Sequence, residues 1–395
     1  MILKKNRCTL DYLSFLLVTG WESKYESVDM LLRHLSRKSR SEASKELYLR
    51  NIHSFCVCVG LNPDQLIKLP KNQIENLLQA YTDERNNGKY SIRYLNTILN
   101  VLKLFFKVNG FKAVNTLEVE GYYMPARYRK FSEYIPTKNE LYFMADSATS
   151  LRDRAIILAL YSSGLRNSTL RALLYRDVKE ELLKNFYNLF IPVYPEMKLI
   201  DPNACKNSIP YYSFTCDEAT HAIKLYILER ERRSGEINDT EPLFTSEYNQ
   251  IPRSERRLKT LSSREVQIVI KDSAKRAGIG QWRNVCPKCL RKSFETVLRS
   301  GLIDGGQLDP KVQEFFMGHI LPGSQDTYFD KTKIEAMRAL YSQLKFGRVP
   351  IENKFKILRE AVAKAFEGTG FDPDRVMEEY LAARWESTSP HNEIQ

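Results

Sequence analysis

A chain of 395 residues has room for two or three domains, and 43% hydrophobic residues exclude gross disorder. Lysine plus arginine outnumber aspartate plus glutamate by 60 to 48, a net charge of +12 that favours a polyanionic partner, most often nucleic acid, although a basic cytosolic protein without such a partner has the same balance. The seven cysteines are odd in number and irregularly spaced, which excludes a disulfide framework and suits a reducing cytosol; no apolar run approaches the roughly 18 residues that span a membrane, so the chain reads as soluble and intracellular.

Residues 1–36 read as an amphipathic helical extension with a polar break at Trp21-Glu22-Ser23-Lys24. From 37 to 130 the pattern is helical. Leu47, Tyr48, Ile52 and Phe55 recur near the helical period until Gly60-Leu61-Asn62-Pro63 stops the run. Further helices are expected over 72–85 and 90–108, the latter with Arg93, Lys103 and Lys107 on its polar side. Basic helical faces of this kind suit a DNA backbone clamp, or are simply solvated.

A linker with Pro125 and Pro136 follows, and Thr137-Lys138-Asn139-Glu140 reads as a capping box that opens a new helix. The spacing predicts an apolar helix over 151–163, ending in Gly164-Leu165-Arg166, and another from 168 to about 175. Residues 186–193 and 208–215 favour strands, joined by a long hairpin connection that holds Pro195 and Pro202. Helices are expected over 217–233, 262–277, 286–300, 310–317 and 331–344, with 234–259 as a polar loop. The tail carries helical runs at 355–366 and 372–385. The fold class is therefore mostly α with a small β-sheet (α+β), and the expected division is 1–36, 37–130, 131–348 and a helical tail over 349–395.

Four places in the region 131–348 carry polar residues where they need a reason. Arg166 follows a glycine turn between two apolar helices, where an arginine needs a partner; an ion pair with Asp177 is one possibility. Lys206 sits in the hairpin connection, with Lys198 as a competing candidate. Lys288 and Arg291 are three apart on one helix, on a face that opens with Pro287, so both can point at one anion or both can be solvated. Gly318-His319 ends an apolar helix, and Tyr328 lies nine residues further on, beyond a Leu321-Pro322-Gly323-Ser324 turn. Taken alone, Tyr328 reads as a packing aromatic.

In order, Gly164-Leu165-Arg166, Lys206, Lys288-x-x-Arg291, Gly318-His319 and Tyr328 resemble the tyrosine recombinase (phage-integrase) family over roughly 37–345. The family has histidine where this chain has Lys288. A lysine there, and Tyr211-Tyr212-Ser213-Phe214 after the hairpin, are similar to integrases of archaeal viruses and plasmids.

The resemblance implies a helical core-binding domain over 37–130 and a catalytic domain over 131–348. It implies a catalytic set of Arg166, Lys206, Lys288, Arg291, His319 and the nucleophile Tyr328, acting through a 3′-phosphotyrosyl intermediate. Double-stranded DNA at attachment sites is the implied partner, with a homotetramer on DNA in the host cell cytoplasm, no membrane, no cofactor and no metal. The hairpin lysine and the role of Lys288 stay open. Two other readings are a type IB topoisomerase-like strand transferase and a DNA-binding protein without catalysis.

Cys286-x-x-Cys289 is a single pair, short of the four ligands that zinc needs, and reads as buried thiols. Neither a phosphate-binding glycine loop nor a catalytic serine motif is present.

Overall fold

The helix Leu151–Ser163 is buried on almost every side, from Arg152 and Asp153 to Ser162 and Ser163. A helix that is apolar all round belongs at the centre of a core. In the computed structural model, which describes residues 20–38, 41–111, 116–125, 133–247, 251–321 and 330–347, this helix organises one of two units. One unit takes the chain up to Ser132 together with Pro195–Ile209; the other takes Glu133–Tyr194 and the chain from Pro210 onward.

Among the described residues of the first unit the helices are α1 (Glu26–Lys38), α2 (Glu42–Val59), a short α3 (Pro63–Leu66), α4 (Lys71–Arg85) and α5 (Ile92–Val108). Ser41, Asn62 and Ser91 cap α2, α3 and α5 by accepting hydrogen bonds from backbone amides of the first turn. Leu31, Leu32, Ile52, Phe55, Leu78, Ile98, Leu102 and Phe105 form a common core. Asp64 ties α3 to α1, accepting from the Ser27 amide at 3.0 Å and its hydroxyl at 2.6 Å. Residues 116–125 run along α5. Asn96 holds Tyr122 by both backbone groups, and Lys103 donates to the Val119 carbonyl at 2.6 Å. Lys103 is thereby taken out of the basic face expected for α5.

In the second unit α6 (Lys138–Asp146) opens with the expected capping box of Thr137 and Glu140. The central helix is α7 (Leu151–Ser163), followed by α8 (Asn167–Ala172) and α9 (Arg176–Leu183). Helix α9, outside the expected helices, buries only Val178 and Leu182. Strands β1 (Phe190–Val193) and β2 (Tyr211–Phe214) pair antiparallel from Phe190 opposite Phe214 to Val193 opposite Tyr211, shorter than the alternation suggested. Then come α10 (Asp217–Ser234), a short α11 (Arg253–Arg256) in the expected loop, α12 (Ser263–Arg276), α13 (Pro287–Arg299), α14 (Pro310–Phe316) and α15 (Ile334–Ser342). The described residues are mostly helical with one two-stranded sheet. No described helix is long and apolar enough to cross a membrane.

Aromatic rings from β2, α14, α15 and Phe346 meet over the C-terminal end of α7. Phe214, Phe316, Tyr341 and Phe346 pack ring to ring, and the buried Tyr341 hydroxyl donates to the Ser162 carbonyl at 2.7 Å. Burial pushes the Tyr341 phenol well above its ordinary range. Arg338 of α15 lies over the Phe186 and Phe214 rings and bonds Glu181 of α9 and the Asn188 carbonyl. That pair anchors α15 to the start of the sheet.

Gly164 ends α7 with φ +62°, and a Cβ there would stand 2.1 Å from Phe294 Cδ1. Gly164→Ala is therefore strained in backbone and in packing at once. We expect it to lower unfolding free energy by on the order of 3 kcal/mol, read as a denaturant midpoint shift. An unchanged midpoint would mean that the turn relaxes at no cost.

Candidate active site

The turn after α7 presents Arg166 as the residue before α8, in an extended conformation (φ −71°, ψ 148°). Its side chain is half-buried and has no hydrogen bond or ion pair among the described residues. Asp177 is not its partner. That carboxylate accepts from the Leu174 amide at 2.8 Å and the Tyr194 hydroxyl at 2.9 Å, and burial holds its pKa above the ordinary carboxylate value.

Arg291, on α13, is only 9% exposed. Its guanidinium donates to two backbone carbonyls, Gly164 in the turn before Arg166 and Met317 just before Gly318-His319. One side chain thus joins the Gly-Leu-Arg turn to the Gly-His segment. Burial pushes its pKa down from the ordinary arginine value; the Tyr211 hydroxyl opposes that, and the Arg166 charge adds to it. Two guanidinium groups close enough to repel make a place where a bound anion removes an unfavourable interaction. A guanidinium has five N–H donors, and the two carbonyls leave Arg291 others to offer.

Gly318 has φ +60°, and a Cβ on it would stand 2.5 Å from the Tyr211 ring. Only glycine lets the chain turn there against β2. His319 follows, exposed, with Nδ1 at 2.6 Å from Glu314 Oε2 and its backbone amide donating to the Glu314 carbonyl at 3.0 Å. With Nδ1 held by the carboxylate, Nε2 is the ring nitrogen left for a ligand. Sequence reasoning missed Glu314. Its signal was an acid in the last turn of a helix, where the helix dipole disfavours one. It also missed Tyr211 as a neighbour of the site. The Tyr211 hydroxyl is buried and lies beside the Arg291 guanidinium.

Lys288 does not share a ligand direction with Arg291. Arg291 turns inward, whereas Lys288 stays exposed and pairs with Glu133 at 3.3 Å. Lys292, one turn further along α13, also bonds Glu133. The Lys292 hydrogen bond, with Lys288 adding to it, holds the Glu133 carboxyl down at about 2 from its usual 4.5. A depressed carboxylate stabilises the fold above its unfolded pKa and stops doing so as pH falls through the folded value. Glu133→Gln should therefore lower the melting temperature at neutral pH. The gap from the parent should close as pH falls from about 4.5 to about 2. A gap independent of pH would show that the ion pairs contribute nothing.

The hairpin lysines lie in Pro195–Ile209, which groups with the first unit. Lys206 is exposed; its carbonyl accepts from the Ile209 amide at 3.5 Å, and its side chain makes no hydrogen bond among the described residues. Cys205 (φ 44°), Asn207 (φ 59°) and Ser208 (φ 57°) around it adopt left-handed conformations that cost side-chain-bearing residues about 1 kcal/mol each or more. The Ser208 amide donates to the Cys205 carbonyl at 2.9 Å, which holds the tip together. Lys198 instead donates to Ser208 Oγ at 2.7 Å. Tyr328 and the tail over 349–395 lie outside the described residues, as does much of the 1–36 extension.

No family model matches the chain. Over 239 residues it is 29% identical to tyrosine recombinase XerA of Pyrococcus horikoshii, a match covering 60% of this chain and 68% of that protein. Among solved structures it is similar to a XerA recombinase (18% identity, 85% of this chain and 98% of that one, TM-score 0.34) and to lambda integrase residues 75–356 bound as a dimer to a core site (16% identity, 78% and 95%, TM-score 0.49). A mycobacteriophage Brujita integrase aligns at 14% identity with TM-score 0.38, over 82% of this chain and 93% of that one. The archaeal match is to a tyrosine recombinase, the family that the Arg, Lys, Arg, His, Tyr order of this chain resembles.

Proposed function

We propose that this chain is a site-specific DNA recombinase that cuts and rejoins duplex DNA through a covalent 3′-phosphotyrosyl intermediate, integrating or excising a mobile element of the archaeal-virus kind. The observation that carries the reading is Arg291, whose guanidinium bonds the carbonyls of both Gly164 and Met317. It places the Arg166 turn and the His319 segment around one buried cation.

In this reading Tyr328 attacks the scissile phosphorus, a P–O bond to the 5′-oxygen breaks, and the phosphotyrosyl bond conserves the energy for rejoining. The trigonal-bipyramidal transition state gathers charge on the nonbridging oxygens, where Arg166, Arg291 and His319 Nε2 supply donors. Preorganised donors of this kind are worth about 3–4 kcal/mol of barrier each. Lys288 holds phosphate or assists Tyr328, with Glu133 as its resting partner.

The division into 1–36, 37–130, 131–348 and 349–395 belongs to the same proposal, with 37–130 gripping the DNA backbone. Arg37, Lys38 and Lys107 of that domain line one cleft of about 820 Å³ between α1 and α5, together with Arg33, Glu26 and Asp29 of the 1–36 segment, because α1 (Glu26–Lys38) runs across the 36/37 boundary. Their positive excess suits phosphate contacts. A homotetramer on two duplexes, DNA-associated in the host cytoplasm, completes the reading.

The test is a nicked suicide duplex carrying a candidate attachment site, scored for a covalent adduct, beside a two-site recombination assay and a supercoil relaxation assay. An adduct with strand exchange supports the recombinase. Relaxation of any plasmid by a monomer would move the chain to the type IB topoisomerase class, and DNA binding with no adduct would overturn catalysis altogether.

The leaving 5′-oxygen needs a proton. Lys206, unpartnered among the described residues, is the better donor than Lys198, which is already bonded to Ser208. A 5′-bridging sulfur leaves without a proton. It should restore cleavage to Lys206→Ala and leave Lys198→Ala near the parent on both substrates. Rescue of neither variant would remove the hairpin lysines from acid catalysis.

A further inference from the structure

Cys286 and Cys289 open α13, the helix that carries Arg291, and their sulfurs lie 3.4 Å apart. Cys286 is the N-cap residue, in an extended conformation, and the Cys289 amide closes the first turn on the Cys286 carbonyl at 2.8 Å. The backbone is thus already wound so that the two side chains face each other, and a disulfide bond length of about 2.05 Å needs only side-chain rotation. Cys286 is half-buried, reachable from solvent, while Cys289 is buried. The other described thiols differ. Cys56, Cys205 and Cys216 are buried, and burial holds the half-buried Cys58 thiol above its ordinary pKa.

We propose that Cys286 and Cys289 form a redox-active dithiol, a reversible disulfide site at the head of the helix that bears Arg291, with a low-molecular-weight disulfide as oxidant. Cys286 Sγ attacks one sulfur of the oxidant, whose S–S bond breaks and releases one thiolate. Cys289 then gives up its proton and attacks Cys286 Sγ, forming the intramolecular disulfide and releasing the second thiolate. The dithiol loses two electrons, and the oxidant is reduced to two thiols.

The roles follow from position. The hydrogen bond from the Cys289 thiol chiefly, and then the Cys289 and Lys288 amides, pull the Cys286 pKa below the ordinary thiol value. The same hydrogen bond and burial raise that of Cys289. Cys286 is the attacking thiol and Cys289 the resolving one. The helix dipole, positive at this end, favours the same assignment. This proposal does not depend on the recombinase reading, because thiol chemistry reads it out directly.

The full chain is equilibrated in glutathione buffers of graded redox ratio, quenched with acid, alkylated and mapped by mass spectrometry. The expected result is a 286–289 disulfide that forms and reverses with the ratio, with Cys286 alkylated about tenfold faster than Cys58 at neutral pH. Cys289→Ser should trap a stable glutathione mixed disulfide on Cys286, and Cys286→Ser should leave Cys289 unmodified. Thiols that stay free at every ratio would overturn the proposal. So would a Cys289→Ser variant that collects no mixed disulfide, or protection of both thiols by added zinc ion without disulfide formation.

Discussion

Tyr328→Phe is expected to abolish the covalent protein–DNA adduct on a suicide substrate while leaving DNA affinity within about twofold of the parent. The change removes one oxygen. A phenyl ring keeps the packing area of tyrosine but has no nucleophile, and covalent catalysis has no partial substitute for one. The affinity prediction follows from the charge. Binding to duplex DNA draws on phosphate contacts by lysine and arginine, none of which the substitution touches. Gel shift and denaturing electrophoresis on the same samples separate the two quantities. An adduct that survives the change would remove Tyr328 from the mechanism and send the search to Tyr211, whose hydroxyl lies beside Arg291. Loss of binding together with the adduct would make Tyr328 a structural aromatic.

Arg291→Lys is expected to reduce the rate of adduct formation by about 10²–10³-fold, as loss of a preorganised donor at a developing oxyanion does elsewhere. The two arginine hydrogen bonds end on backbone carbonyls of different segments, Gly164 and Met317. A lysine keeps the charge but not the planar fork, and one ammonium cannot reproduce both directions. At least one buried carbonyl then lacks its donor, at a cost of about 1–3 kcal/mol. The variant should therefore lose stability as well as rate, and a chemical denaturation curve reads the first while the suicide substrate reads the second. Raising pH does not imitate the substitution, because guanidinium remains charged even with its pKa lowered by burial. A lysine variant with full rate would mean that Arg291 only ties the turn to the helix and that Arg166 meets the phosphate alone.

Short-range chemistry was enough to determine much of this protein. The apolar run of α7, the Thr137–Glu140 capping box and the alternation around β1 and β2 each follow from neighbours within a few residues. The order of Gly-Leu-Arg, Lys-x-x-Arg and Gly-His is likewise visible without coordinates. Helix α9 was not visible, because its fixing contact runs from Glu181 to Arg338, far along the chain.

The same limit applies at the site. Helical spacing puts Lys288 and Arg291 on one face, but it does not say that one turns outward to Glu133 and the other inward to two carbonyls. Nor does it pair His319 with Glu314 or set Tyr211 against Gly318. Periodicity and capping are local energies of a few residues. The partner a charged side chain finds is settled by burial and by segments that meet only when the chain has folded, and that decision belonged to the tertiary structure.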